Sequence, residues 1–303
     1  MRIALATAIA AFALDEDLPP LLEALRQRGH HAEALAWDDP TVSWARFELV
    51  LLRSTWNYTD KPAEFLRWCE QVSASTRLLN PPALVRWNTD KRYLAELAAA
   101  GVPVIESHYL APGDDPAAFP AHAEFVVKPC IGAGSRDTQR YTAPNRAAAV
   151  AHAKRLLEAG RHVLVQPYLT AVDSAGETAL MFFAGRYSHA IRKGPLLVRD
   201  GKATRALFAP EAITSREPSA VEIEVAERVL AAIPGGAPLY ARVDLLPSPS
   251  GPQLLELELT EPSLFFATAP GSVERFVVAI EAAEADAAIE AVDMAKPRFG
   301  KQC

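Results

Sequence analysis

The stretch that most constrains this chain lies near its end, where YARVDLL, a turn rich in Pro, Ser and Gly, and LLELELTEPS follow one another. Alternate side chains of a β-strand share a face. Arg242 and Asp244 therefore share one face of the first segment, and Glu256 and Glu258 one face of the second. The intervening PSPSGP is loop chemistry. If the two segments pair as a hairpin, three carboxylates and a guanidinium crowd one surface. The other surface, with Val243, Leu245, Leu255, Leu257 and Leu259, is expected to be core. Like charges facing across a ladder destabilise it, and a cation relieves the repulsion. Carboxylate oxygens on rigid strands suit Mg²⁺, which takes one or two carboxylates and completes its octahedron with water and substrate phosphates. Asp244, Glu256 and Glu258 are thus candidate metal ligands, and Arg242 is placed to meet a phosphate or a developing acyl phosphate. The plain alternative is an amphipathic hairpin with its charged face in water. A lone E-x-E favours that alternative; the Asp and Arg on the partner strand favour the metal.

At 303 residues the chain is long for one domain, and two or three packed subdomains are expected. A formal net charge of −6 argues against a nucleic-acid-binding surface. The three cysteines, Cys69, Cys130 and Cys303, are scattered and odd in number, so neither a disulfide framework nor a Cys-rich zinc site is indicated. A reducing cytoplasm fits them. The opening MRIALATAIAAFALDED has a short apolar run that mimics a signal peptide, but it reads as a first buried strand closed by Asp15. No apolar stretch reaches the roughly 20 residues of a membrane span.

In chain order, Arg2 to Ala8 reads as a buried strand, followed by a helix capped by Asp17 with Pro19 and Pro20 in its first turn. HAEALAW and Phe47 to Arg53 read as two more strands. This rhythm predicts a small parallel sheet, whose ligands bind beyond the carboxyl ends of its strands. Arg53, Ser54, Trp56 and Tyr58 hold such a position, where they would grip a small carboxylate or amino-acid substrate, unless Trp56 and Tyr58 only pack the domain joint. LLNPPALVRWNTDKRYLAEL marks a boundary, with Asn88 or Thr89 capping a helix that stops at Gly101. Lys91 falls in its first turn, opposing the helix dipole, which an anion would repay.

FVVKPCIGAGSRDTQRY carries the second piece of chemistry. Lys128 ends a strand, and Gly132, Ala133, Gly134 and Ser135 follow with backbone N–H groups that can curl around phosphate oxygens. This is neither the P-loop nor the dinucleotide-binding pattern, and a plain hairpin turn explains the glycines equally. Arg146 to Glu158 is an amphipathic helix, and VLVQPYL a buried strand with an edge able to serve a purine ring. GETALMFFAGRYSHAIRK reads as two strands with Glu177 at the start and Arg192 and Lys193 at the end. VRDGKATRALFAP, with Arg205, reads as a mobile loop able to close over a substrate. Ser219 caps a helix to Ala232, and a last helix begins near Val273.

Lys91, Lys128 with GAGS, QPYL, Glu177, Arg192, Arg242, Asp244, Glu256 and Glu258, taken in that order, resemble the ATP-grasp superfamily of glutathione-synthetase-like ligases, over nearly the whole chain. Within it, LLRSTWNY, LLNPPALVRWNTDK and GETALMFFAGRYSHAIRK resemble the cyclo-ligases that close O-ureido-serine to cycloserine, in antibiotic biosynthesis. One departure stands out: related ligases usually carry Asn where this chain has Glu258.

The resemblance implies an α/β (α+β) ATP-grasp fold. A small N-terminal parallel α/β domain would span residues 1–87, a central subdomain 88–167, and a C-terminal subdomain with the metal site 168–303. It implies that Lys91 and Lys128 hold ATP phosphates, that Gly132, Gly134 and Ser135 cover them, that Gln166, Pro167, Tyr168 and Leu169 line the adenine slot, and that Glu177 reaches the ribose. Asp244, Glu256 and Glu258 would hold one or two Mg²⁺ ions. Arg242 and Arg192 would stabilise an acyl phosphate, and Arg53, Ser54, Trp56, Tyr58 and Arg205 would meet the substrate. The implied reaction is ATP-driven carboxylate activation followed by attack of a nitrogen. A cytoplasmic enzyme acting on a small amino-acid-like molecule is expected, without nucleic acid or membrane partners and with a homodimer open. An intermolecular amino-acid or peptide ligase and a non-catalytic nucleotide-binding regulator are the other readings.

Overall fold

The computed structural model describes residues 1–199 and 212–295. Three sheets organise it, in chain order. In the first, β1 (Arg2–Thr7), β2 (His31–Ala36), β3 (Leu49–Leu52) and β4 (Arg77–Leu79) lie parallel in the order β2-β1-β3-β4. The run IALA of β1 and all of β3 are buried on both faces, as a covered parallel sheet requires. Helices α1 (Leu18–Gln27), α2 (Pro62–Ser73) and α3 (Pro82–Asn88) begin with proline at their first or second position, where no N–H is missed.

After α4 (Tyr93–Ala99), β5 (His108–Leu110), β6 (Glu124–Pro129), β7 (Gln139–Thr142) and β8 (Val163–Pro167) form an antiparallel sheet in the order β5-β8-β6-β7. Its Phe125, Val127, Tyr141, Val163 and Val165 pack against α5 (Arg146–Glu158). The intervening residues of β6 and β8, Val126, Lys128 and Gln166, face the other way, into the cleft.

A short helix, α6 (Val172–Ala175), leads to the third sheet. There β9 (Glu177–Phe183), β10 (Arg186–Lys193), β11 (Ile213–Arg216), β12 (Tyr240–Leu246) and β13 (Gln253–Glu258) lie antiparallel in the order β11-β10-β9-β12-β13. Leu180, Phe182, Ala241, Val243 and Leu245 pack on α4 and on α7 (Ala220–Ala231). On the opposite face, Met181, Phe183 and Tyr240 share one core with β1, β3, α1 and α8 (Ser272–Ala295), which welds the N-terminal sheet to the C-terminal one. The far end of that same face carries Glu177, Lys193, Arg242 and Asp244, which line the cleft.

The hairpin forms with the expected pairs, Arg242 opposite Glu258 and Asp244 opposite Glu256. A bulge after Asp244 shifts the register so that Leu245 meets Leu254. Leu254 is consequently the core residue, and Leu255, expected in the core, lines the cleft. Asp17 also departs from expectation: it sits at the N-cap of α1 without capping it, and its carboxylate accepts the N–H groups of Leu264, Phe265 and Phe266 at 2.6, 3.0 and 2.8 Å. Asn88 ends α3 rather than capping the next helix, and Lys91 lies between α3 and α4. No described helix is long and apolar enough to cross a membrane.

Candidate active site

A cleft of about 540 Å³ opens between the central and C-terminal sheets and reaches the N-terminal one. Lys128 projects into it from the end of β6, where burial pushes its ammonium down to about 8. The loop that follows is a hairpin connection between β6 and β7. It also curls, with Gly134 and Ser135 both at positive φ, 59° and 58°. Gly132, Gly134 and Ser135 all line the cleft. Lys91 reaches the same place from the α3–α4 connection, donating to the Gly132 carbonyl at 2.7 Å and pairing with Glu256 at 2.9 Å. Burial works against the Lys91 charge, but Glu256 and its acidic neighbours raise its pKa.

Asp244, 2% exposed, is held by Arg242 at 2.9 Å through both of its oxygens and by Lys193 at 2.6 Å. Burial opposes its ionisation, yet these cations hold it well below the usual carboxylate range. Lys193 also pairs with Glu177 at 2.5 Å, and Arg242 with Glu258. Burial raises Glu177 to about 8, and burial together with Glu256 and Asp244 raises Glu258 to about 7. Acids and bases thus alternate in one buried network: Glu177, Lys193, Asp244, Arg242, Glu258, with Lys91 and Glu256 beside it.

The carboxylates suit a hard cation in chemistry and register, and all three face the cleft. Among the described residues no three ligating side chains converge into a finished metal cage.

The same cleft is also lined by Trp56, Asp15, Glu261 and Phe265. Trp56 donates to the Glu261 carbonyl at 3.0 Å. Burial and the nearby Glu258 push the Glu261 side chain up to about 8. Asp15 is 6% exposed and its Oδ2 has no partner among the described residues.

Gln166, Pro167, Tyr168, Leu169 and Glu177 line the cleft with the residues already placed. Four sequence candidates stand elsewhere. Arg53 is buried behind the wall, donating to the Pro262 carbonyl at 2.9 Å and lying 3.9 Å from Asp17. Ser54 hydrogen-bonds Thr7 at 2.7 Å, and the buried Tyr58 backs Glu261. Arg192 points away from the cleft and donates to the Ala175 and Ser174 carbonyls. Arg205 and most of the expected mobile loop lie outside the described residues. Sequence reading missed Lys193, Glu261 and Asp15. Lys193 had a signal, because closing a hairpin at Ala184 and Gly185 sets it opposite Glu177; Glu261 and Asp15 had none.

A parallel α/β domain followed by two antiparallel sheets that clasp a cleft with two lysines, a glycine loop and a carboxylate hairpin is the architecture of the ATP-grasp ligases. The ATP complex of D-alanine–D-alanine ligase from Bacillus anthracis shares it, with a TM-score of 0.63 at 13% identity, covering 94% of this chain and 99% of that one. A family model described as D-cycloserine synthetase DcsG, N-terminal domain, matches residues 3–80. The cycloserine biosynthesis protein DcsG of Streptomyces lavendulae is 45% identical over 292 residues, 92% of this chain and 97% of the relative. The crystal structure of D-cycloserine synthetase DcsG superposes with a TM-score of 0.87 at 44% identity, covering 92% of this chain and 98% of that one. The chain belongs to the DcsG family of ATP-grasp ligases.

Proposed function

We propose that this enzyme closes O-ureido-serine to cycloserine at the expense of ATP. The observation that supports the reading is that one cleft is lined both by Lys91, Lys128 and the Gly132–Ser135 loop, which suit phosphates, and by Asp15, Trp56 and Glu261, which suit a small zwitterion. Lys91, Lys128 and the loop amides hold the phosphates; Gln166, Pro167, Tyr168 and Leu169 line the base slot, and Glu177 lies at its ribose side. A substrate carboxylate oxygen attacks the γ-phosphorus and ADP leaves. Arg242 stands where the resulting acyl phosphate carries charge. Asp15 and Glu261 face the substrate's ammonium, and Trp56 walls its side. The oxygen-bound nitrogen of the same molecule then attacks the acyl carbon and phosphate departs, a step that gains a large effective molarity from being intramolecular; attack of water on the carbamoyl group, released as CO₂ and ammonia, leaves cycloserine.

Glu256 and Glu258, with Asp244 behind them, are the residues that would hold one or two Mg²⁺ ions. Such an ion supplies charge neutralisation for the transferred phosphoryl group. The enzyme works in the cytoplasm, alone or as a homodimer.

The test is to incubate the protein with ATP, Mg²⁺ and O-ureido-serine alone. ADP, phosphate and a cyclic product by mass spectrometry are expected, with no acceleration by added amino acids. A strict requirement for a second amine would reassign it as an intermolecular amino-acid ligase.

A further inference from the structure

The segment 168–176 carries the chain from the central sheet to the C-terminal one, and its Tyr168, Leu169 and Val172 line the cleft. It is gripped from both sides. From β7 comes Arg140, 4% exposed. Its guanidinium lies 3.5 Å over the centre of the Tyr168 ring and bonds both Asp173 oxygens at 3.1 Å. The Tyr168 hydroxyl donates to the same Asp173 at 2.6 Å, and Glu124 on β6 anchors Arg140 at 2.8 Å. From β10 comes Arg192, whose Nε and Nη2 donate to the carbonyls of Ala175 and Ser174 at 2.6 and 3.0 Å. Those carbonyls end α6 and have no partners within the helix.

Gly176 closes the grip. Its φ is +76°, and a Cβ there would lie 2.6 Å from the Lys193 carbonyl oxygen and 2.7 Å from Arg192 Nε. Both the backbone angle and the close approach demand glycine. The next residue, Glu177, enters the charged network.

We propose that Arg140 and Arg192 are positioning residues for the nucleotide, clamping this linker so that Tyr168 and Leu169 are set at one end and Glu177 at the other. The proposal rests on the nucleotide reading of the cleft. It also replaces the role that sequence resemblance gives Arg192, since a guanidinium spent on α6 carbonyls does not touch an acyl phosphate.

Arg192→Ala, Arg192→Lys, Arg140→Lys and Gly176→Ala test it in the complete enzyme, with steady-state kinetics on O-ureido-serine and with calorimetry of ATP binding. Losing charge-assisted hydrogen bonds to the linker should raise the KM and the Kd for ATP about tenfold in Arg192→Ala, with kcat at saturating ATP within about threefold of the parent. The KM for O-ureido-serine should not move. Arg192→Lys, which keeps the charge, should fall between, and Gly176→Ala, whose added Cβ would push against the Lys193 carbonyl and the Arg192 guanidinium, should reproduce the defect with both arginines still present. A fall in kcat with unchanged ATP affinity would return Arg192 to the reacting groups. Parental ATP affinity in Arg192→Ala and Gly176→Ala alike would overturn the clamp. Calorimetry keeps the two readings separable: a wild-type protein that binds ATP but ignores O-ureido-serine counts against the substrate, not against the clamp.

Discussion

Lys128 shows how a residue acquires a task from where its strand ends. It is buried, its pKa is pushed down to about 8, and among the described residues no carboxylate is bonded to it directly, unlike Lys91 and Lys193. An anion entering the cleft finds in Lys128 a cation already stripped of water. Lys128→Ala should therefore weaken ATP binding by about 1.5–3 kcal/mol, the worth of a charge-assisted hydrogen bond. Calorimetry that finds unchanged affinity would sink the phosphate assignment of this residue.

At the scale of elements, β13 decides how rigid the carboxylates are. It is an outer strand, and outer strands have unpaired backbone groups. Here the far edge is closed by side chains and by a second backbone segment. Asn88 donates to the Leu257 carbonyl at 2.7 Å and accepts the Leu259 N–H at 2.8 Å. The Tyr93 hydroxyl bonds both the carbonyl and the N–H of Leu257 at 2.8 Å, and Pro103 and Ile105 bracket Leu254. Asn88→Ala would orphan the buried Leu259 N–H and leave the Leu257 carbonyl to Tyr93 alone, so a loss of about 1–3 kcal/mol is expected in denaturant unfolding. Amide exchange at Leu257 and Leu259 should accelerate with it; unchanged protection there would mean that Asn88 does not hold the strand.

The same hairpin marks how far sequence reading reaches. Period-two alternation put Arg242 and Asp244 on one face, and Glu256 and Glu258 on one face, because side-chain direction in a strand is a local property. It could not foresee the bulge after Asp244, which moved Leu255 from core to cleft, since a bulge is settled by the packing of the partner strand. Asp17 reads as a helix cap because the residues beside it fit that role; what it holds is the backbone of Leu264, Phe265 and Phe266, some 250 residues away in sequence. Arg53 and Arg192 share this limitation. An arginine near a strand end is legible, but whether it faces the cleft depends on which elements close behind it.

At the scale of the whole molecule, the cleft gathers more carboxyl groups than it can ionise comfortably. Glu258 titrates near 7, and Glu177 and Glu261 near 8. Each is raised above the roughly 4.3 of an unfolded glutamate, so its contribution to stability is full below that value and is lost as pH rises through the folded one. The buried imidazoles of His152 and His189, lowered to about 4, act oppositely, but only below about 6.5. Melting temperature of the ligand-free protein should thus decline from about pH 6.5 to pH 8. A flat or rising profile would show that these carboxyls are not under strain.

Arg242, Lys193 and Lys91 each hold carboxylates, and those carboxylates are the groups a divalent ion would want, just as the ammonium and guanidinium groups are what a phosphate would want. Either visitor arriving alone must part an existing couple and leave one member stranded. Arriving together, they let every couple re-form with a new partner. Nucleotide and Mg²⁺ should consequently strengthen each other's binding, by the same factor in either order. Titrating Mg²⁺ into the free and the ADP-loaded protein measures this directly, and equal affinities would show that the couples never separate.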